Sequence, residues 1–126
     1  MRGEQAVAQW YEARGFEVAA RNWRSRTGEI DLVLRLGQLV VICEVKTRSS
    51  ERFGAPVEAV TPAKARRIRR LSAEWLAASR ASGTFDQPSG RRAAGRGTGG
   101  VDVRFDVASV MMSGGDLVVD VMENAF

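Results

Sequence analysis

The sequence predicts a single α/β domain in which a mixed central β-sheet is flanked by helices, in the order αβββαββ. Its 126 residues are enough to enclose one hydrophobic core. Hydrophobic residues make up 44% of the chain and charged residues 27%, which is typical of a folded globular protein. Apolar residues recur at helical spacing in two segments, whereas other segments alternate or are rich in β-branched residues.

Two segments predict helices. In residues 3–14 apolar side chains recur every three or four positions, and Gly15 follows as a stop signal. In the second segment Thr61 supplies an N-cap and Pro62 a favoured first helical position, and an apolar stripe continues to about Arg80. Each helix has one apolar stripe, so each is expected to pack one side against the sheet.

Five segments predict β-strands, because apolar and polar residues alternate in them or β-branched residues run together. They cover residues 16–23, 29–35, 38–47, 101–110 and 117–122. A turn at Leu36-Gly37 is expected to join the second and third strands as a hairpin, pairing residues whose numbers sum to 73.

A glycine-rich segment precedes the last two strands. Residues 83–100 contain six of the thirteen glycines of the chain, together with Arg91, Arg92 and Arg96. A segment of this composition cannot bury a core. We therefore expect a flexible Gly/Arg-rich insertion within one domain that covers residues 1–126.

The composition excludes several kinds of chemistry. The chain has no histidine, which excludes His-based general bases, catalytic triads and His zinc sites. Its one cysteine, Cys43, cannot form an internal disulfide, and no apolar segment resembles a membrane span or an export signal. A cytoplasmic location without a membrane partner is therefore expected.

The charge of the chain favours a polyanionic partner. Nineteen basic residues outnumber fifteen acidic ones, which gives a net charge of +4 at pH 7. Seventeen of the nineteen are arginine, and only Lys46 and Lys64 are lysine. Because lysine is a compact charge whose pKa can shift, a lysine in an arginine-rich chain can mark a site that a guanidinium does not suit.

Three charged side chains are expected on one face of the predicted hairpin. In the predicted register Asp31 lies opposite Ile42, and Glu29 lies opposite Glu44. Because side chains alternate between faces, Asp31, Glu44 and Lys46 then point to the same side, with Asp31 diagonal to Glu44.

This arrangement predicts a metal ion. Carboxylates on a half-buried sheet repel one another unless a cation lies among them. Oxygen ligands without histidine or thiolate suit Mg²⁺ or Mn²⁺, which complete their shell with water and phosphate oxygens. Lys46 can orient the attacking water and offset charge on phosphorus. Metal-assisted phosphodiester hydrolysis is the resulting hypothesis, and surface ion pairing is the alternative.

Several motifs resemble known families. Gly28-Glu29-Ile30-Asp31, followed thirteen positions after Asp31 by Glu44-Val45-Lys46, resembles the PD-(D/E)xK nuclease superfamily. Nearly the whole chain outside residues 83–100 also resembles the YraN-like family of small bacterial proteins. The segments that carry this resemblance are Gly3-Glu4, Arg21-Asn22-Trp23-Arg24, Gly28-Glu29-Ile30-Asp31-Leu32, Glu44-Val45-Lys46-Thr47-Arg48, Phe53-Gly54 and Asn124-Ala125-Phe126.

The resemblance implies a restriction-endonuclease-like three-layer core, similar to that of archaeal Holliday junction resolvases. It implies a catalytic site in which Asp31, Glu44 and the Val45 carbonyl bind the metal and Lys46 serves the attacking water. Glu4 of the first helix would complete the metal shell, or else be an ordinary charge near the positive end of the helix dipole. Glu29 is expected either to support these ligands from outside the shell or to be an ordinary charge at the start of a strand.

Basic residues near this site predict contact with a nucleic-acid backbone. They are Lys64, Arg66, Arg67 and Arg70 on the second helix, with Arg48 and Arg52 beyond the third strand. The leading hypothesis is a Mg²⁺-dependent endonuclease that selects structured or branched nucleic acid, with DNA as the first candidate, and that acts as a homodimer by analogy with the resolvases. The alternatives are a catalytically inactive module that binds nucleic acid and a module that binds an acidic protein.

Overall fold

The computed structural model describes residues 2–48, 61–82 and 101–125, except the side chains of Arg2 and Arg48. The predicted insertion at 83–100, residue Arg52 and the Phe53-Gly54 motif lie outside these ranges. Two helices and five strands are described, which confirms the predicted mixed α/β class. They are α1 (Arg2–Glu12), β1 (Glu17–Arg24), β2 (Glu29–Leu36), β3 (Leu39–Arg48), α2 (Pro62–Ser82), β4 (Asp102–Ser113) and β5 (Asp116–Met122).

The five strands form one sheet in the order β1-β2-β3-β4-β5. All neighbouring strands are antiparallel except β3 and β4, which are parallel over ten residue pairs from Leu39↔Asp102 to Arg48↔Met111. A parallel pair needs a long crossover connection, and α2 lies within the connection between these two strands. The sheet is therefore mixed, with β3 at its centre.

The two helices cover opposite faces of the sheet. One buried cluster joins α1 to the sheet and includes Val7, Tyr11, Leu32, Val41, Cys43 and Val110. The other joins α2 to the sheet and includes Val33, Val40, Ile42, Leu71, Trp75 and Leu76. Because successive strand residues point to opposite faces, the division of Val40 and Val41 between the clusters places one helix on each side.

The β2–β3 hairpin is centred one residue later than predicted. Leu36 pairs with Leu39, and Leu32 pairs with Cys43, so the paired numbers sum to 75 and the predicted sum of 73 is wrong. The two turn residues are Gly37 and Gln38, and Gly37 has a φ of 60°, which suits a glycine in a two-residue turn. Because the error is two positions, every side chain keeps its predicted face.

The start of α2 forms as predicted and places a lysine beside β3. The Lys64 N–H donates to Thr61 Oγ1 at 3.1 Å, and the Ala65 N–H donates to the Thr61 carbonyl at 2.9 Å. Thr61 is therefore the N-cap, and Lys64 lies in the first turn of the helix. No helix in the described parts of the chain is long and apolar enough to span a membrane.

Candidate carboxylate and lysine site

A cavity of about 300 Å³ lies between the β2–β3 hairpin and α2. Asp31 of β2 and Glu44 of β3 both line it, and Lys64 and Arg67 line it from α2. The two carboxylates that the sequence predicts to share one ion therefore face a common space. The cavity is at the lower end of the size range of small-molecule sites.

Asp31 is half-buried and is oriented by the backbone of β3. The Val45 N–H donates to Asp31 Oδ2 at 2.8 Å. Burial is the main cause that raises the pKa of Asp31 above its ordinary value; the Val45 hydrogen bond opposes this shift, and repulsion from Glu4, Glu29 and Glu44 adds to it. Asp31 therefore lies among like charges that a cation would relieve.

Both lysines of the chain meet at Glu44. Lys64 Nζ is 3.2 Å from Glu44 Oε1 and 3.2 Å from Oε2, and it donates a hydrogen bond to Oε2. Lys46 Nζ is 3.5 Å from Glu44 Oε2. Glu44 Oε1 is buried and accepts no hydrogen bond from the described residues, although the Lys64 ammonium is close to it.

Lys64 has a more central position than the sequence predicts. Its predicted role is contact with a phosphate backbone, and the structure pairs it with Glu44. The scarcity of lysine was a usable signal, because the only other lysine is Lys46. Spacing could not reveal the contact, since Glu44 and Lys64 belong to different elements and lie twenty positions apart.

Glu4 and Glu29 lie at the starts of α1 and β2, and both raise the pKa of Asp31 by repulsion. Glu4 is in the first turn of α1 and lines a separate depression with Gln5 and Arg21. Glu29 lines the Asp31 cavity but is exposed and pairs with Arg24, Nε to Oε2 at 3.6 Å. The prediction that Glu29 faces Glu44 is wrong, because the true register shifts its hairpin partner by two positions.

The donor set suits a hard divalent ion with few protein ligands. The described residues contain no group of three or more acidic or cysteine side chains placed to hold a metal ion, and Glu4 as a further ligand stays a prediction. Mg²⁺ is usually held by one or two carboxylates together with waters and substrate phosphates. Asp31 and Glu44 provide two carboxylates that line the same cavity. The Val45 carbonyl as a further ligand stays a prediction.

Three of the predicted phosphate-binding arginines lie on the exposed surface of α2. Arg66, Arg67 and Arg70 are exposed, and Arg67 also reaches the cavity. Arg48 ends β3, but its side chain lies outside the described atoms, as does all of Arg52. Three of the six predicted phosphate-binding residues are thus available on one helix beside the site.

A buried aspartate that sequence reasoning missed lies behind the site. Asp106 is 1% exposed and accepts hydrogen bonds from Tyr11 Oη at 2.6 Å, from Arg104 Nε and Nη2 at 2.9 Å each, and from the Asn124 N–H at 3.0 Å. Burial, together with the neighbouring Cys43 and Asp106, raises the pKa of Tyr11 far above its ordinary value. The sequence did contain a signal for this residue, because Asp106 occupies a position of the alternating segment 101–110 that faces the core.

These features define the class of protein: a mixed α/β protein whose central hairpin and second helix gather two carboxylates and two lysines around one cavity. The chain belongs to the family described as Uncharacterised protein family UPF0102, whose model matches residues 3–110. The predicted resemblance to a small bacterial protein family is confirmed at this level.

Relatives from several bacteria match this chain over much of its length. A UPF0102 protein of Nocardia farcinica is 41% identical over 125 residues, which are 98% of this chain and 85% of the relative. One from Acidothermus cellulolyticus is 44% identical over 109 residues, which are 86% of this chain and 77% of the relative. One from Leifsonia xyli subsp. xyli is 54% identical over 74 residues, and this match spans 63% of the relative. These names state no activity, so the function must be argued from the site.

Proposed function

We propose that this protein is a Mg²⁺-dependent endonuclease of the PD-(D/E)xK superfamily, with a restriction-endonuclease-like core, that hydrolyses phosphodiester bonds in structured or branched nucleic acid. One observation carries the proposal: Asp31 and Glu44 line one cavity, and both lysines of the chain lie against Glu44. Clusters of charged groups in a cleft with a shifted carboxyl pKa are typical of functional sites.

Each member of the cluster has a role in this chemistry. Asp31 and Glu44 would hold the ion, and the Val45 N–H fixes the orientation of the Asp31 carboxylate. A bound divalent ion polarises phosphate oxygens and lowers the pKa of a coordinated water. Lys46 would orient that water and balance negative charge on the phosphate, and Lys64 offers a second ammonium to the same anion.

The surface around the cavity supports a nucleic-acid substrate. Arg66, Arg67 and Arg70 are exposed on the helix that borders the cavity, and the whole chain carries a net charge of +4. Arginines of this kind contact the phosphate backbone without reading the sequence. Because the chain is small, we propose selection by substrate structure, with branched DNA as the first candidate and a homodimer as the acting form.

A cleavage assay tests the proposal. The purified protein is incubated with branched, flapped and single-stranded DNA and RNA, with Mg²⁺, with Mn²⁺ or with a chelator. We expect metal-dependent cleavage, and we expect Asp31→Asn and Lys46→Ala each to lower its rate about 100-fold or more. Glu29→Gln is the matched control, because Glu29 lines the same cavity but is exposed and pairs with Arg24; it should keep most of the activity.

Two outcomes would contradict the proposal. The first is that no substrate is cut under any metal condition. The second is that Asp31→Asn and Lys46→Ala cleave as fast as the unaltered protein, which would place the activity at another site or in a contaminant.

A second candidate is a nuclease-fold module that binds nucleic acid without cutting it. Its support is that Lys64 and Lys46 both lie beside Glu44 and balance its negative charge. Salt-dependent binding together with complete absence of Mg²⁺-dependent cleavage would favour this candidate over the endonuclease.

A further inference from the structure

Beside the cavity lies a second groove that four arginines line. One of them, Arg26, comes from the turn between β1 and β2, and the others, Arg66, Arg67 and Arg70, come from α2. Among the described residues, the others that line this arginine groove are Thr27 and Ala63, and neither is acidic. All four arginines are exposed. Four like charges around one groove repel one another, and an anion between them would relieve the repulsion.

The turn that carries Arg26 is fastened to α2. Ser25 Oγ donates to Glu74 Oε1 at 2.6 Å, and Thr27 Oγ1 donates to Glu74 Oε2 at 2.7 Å. The Thr27 N–H also donates to Ser25 Oγ at 3.0 Å. Arg26 lies between two residues that are both bonded to the helix, so the turn is held next to the helical arginines against their mutual repulsion.

The arginine groove is continuous with the candidate site. Thr27 and Arg67 line both the groove and the cavity that contains Asp31 and Glu44. A polyanion bound along the groove would therefore reach the carboxylates without leaving the protein surface. A single small anion would need only one of these two concavities, whereas a chain of phosphates can fill both.

We propose that the arginine groove binds backbone phosphates of the nucleic-acid strand whose scissile phosphate enters the cavity. Arg26 is one of the phosphate ligands, and it is positioned by the hydrogen bonds of Ser25 and Thr27 to Glu74, which we call the Glu74 clamp. This inference rests on the proposed function and adds to it a strand path and a residue, Arg26, outside the predicted set. The ligand class is the phosphodiester backbone, which guanidinium groups bind through paired hydrogen bonds irrespective of base sequence.

Binding is measured separately from cleavage. Fluorescence anisotropy with short labelled single-stranded and branched DNA is recorded in a chelator, over a series of salt concentrations. Arg26→Ala is expected to weaken binding about tenfold and to reduce the slope of log affinity against log salt by about 0.7 to 0.9, the value for one lost phosphate contact. Arg14→Ala removes the same charge from an exposed position in the turn after α1, across the sheet, and should leave the slope unchanged.

A second variant tests the clamp. Ser25→Ala keeps all four arginines but removes the Ser25 hydrogen bond to Glu74. We expect a smaller loss of affinity than Arg26→Ala causes, with an unchanged melting temperature showing that the fold is intact. Affinity equal to that of the unaltered protein would overturn the positioning role of the clamp.

The outcomes separate this inference from the proposed function. If the protein binds and cuts nucleic acid but Arg26→Ala behaves like Arg14→Ala, the groove is not the strand path and only this inference fails. If binding depends on Arg26 but no cleavage occurs, the inference about the arginine groove is supported and the endonuclease proposal fails. If the unaltered protein binds no nucleic acid at low salt, both fail.

Discussion

Glu44 is an acidic residue in the middle of a largely apolar strand, and its neighbours explain how it is tolerated there. The Lys64 ammonium is equidistant, at 3.2 Å, from its two oxygens, and Lys46 is 3.5 Å from one of them. Partly buried carboxylates need such compensation. A divalent ion that uses the same oxygens must therefore compete with an ammonium that is already in place.

This competition gives a prediction for Lys64. Replacing it with methionine, Lys64→Met, removes a positive charge next to Glu44 and should tighten Mn²⁺ binding by roughly tenfold, equivalent to about 1.4 kcal/mol. Isothermal titration calorimetry on the unaltered protein and the variant measures the change. Arg69→Met is the control, because it removes an equal charge from an exposed position of the same helix. Weaker Mn²⁺ binding by Lys64→Met would mean that Lys64 supports the metal site rather than competing for it.

At the scale of single residues, the sequence predicted the part of the site that lies on the β2–β3 hairpin. Asp31 and Glu44 could be placed on one face because side chains alternate along strands, and an error of two positions in register does not alter the face. The contact of Lys64 with Glu44 and the burial of Asp106 were missed, because these contacts join elements far apart in the chain. Local periodicity carries no information about such contacts.

At the scale of elements, the β2–β3 hairpin determines where the site residues meet. Its register depends on the turn Gly37-Gln38, and a turn shifted by one residue along the chain would change every cross-strand pair. Gly37 has a φ of 60°, in the left-handed region that side chains with a Cβ disfavour. The glycine therefore contributes to both the stability and the register of the hairpin.

Substitution of Gly37 tests this dependence. Gly37→Ala should lower the free energy of unfolding by about 1 to 2 kcal/mol, because alanine is strained at this φ. Gly37→Asn should cost less, since asparagine tolerates left-handed backbone. Urea unfolding of the three proteins gives the comparison. The space around Gly37 is open, so neither side chain meets a steric contact there. Equal losses of unfolding free energy for alanine and asparagine would therefore contradict the explanation by backbone conformation.

The extent of each element was easier to predict than its partners. Apolar periodicity gave both helices and all five described strands to within a few residues, and the Thr61 N-cap was confirmed by its hydrogen bond. The pairing of β3 with β4 in parallel could not be derived in the same way. A strand with hydrophobic residues on both faces indicates a central position, but it does not indicate which strand lies beside it.

At the scale of the whole molecule, a buried polar network ties the two ends of the described chain to the core. Asp106 of β4 accepts hydrogen bonds from Tyr11 of α1 and from the Asn124 N–H that follows β5. Cys43 of β3 lies in the same buried cluster as Tyr11. Ionisable groups in such a network make the stability of the fold depend on pH.

The Cys43 thiol gives this pH dependence a sign and a range. Burial, with added repulsion from Asp106 and Asp31, raises the pKa of Cys43 from 9.0 to about 12. In the folded protein the thiol keeps its proton up to about pH 12, whereas in the unfolded chain it releases the proton near pH 9. Between these values the unfolded state binds fewer protons, so the contribution of Cys43 to stability is fully present below pH 9 and is lost as the pH rises toward 12.

We therefore expect the unaltered protein to lose stability in alkali more steeply than Cys43→Ala. The difference in slope should approach about 1.4 kcal/mol per pH unit between pH 9 and pH 11, the value for one proton. Urea unfolding at half-unit steps of pH measures both slopes. The small cavity left by alanine lowers the stability of the variant equally at every pH, so it does not change the slope. Tyr11 is present in both proteins. Parallel curves for the two proteins over this range would mean that the thiol is not held protonated by burial in the core.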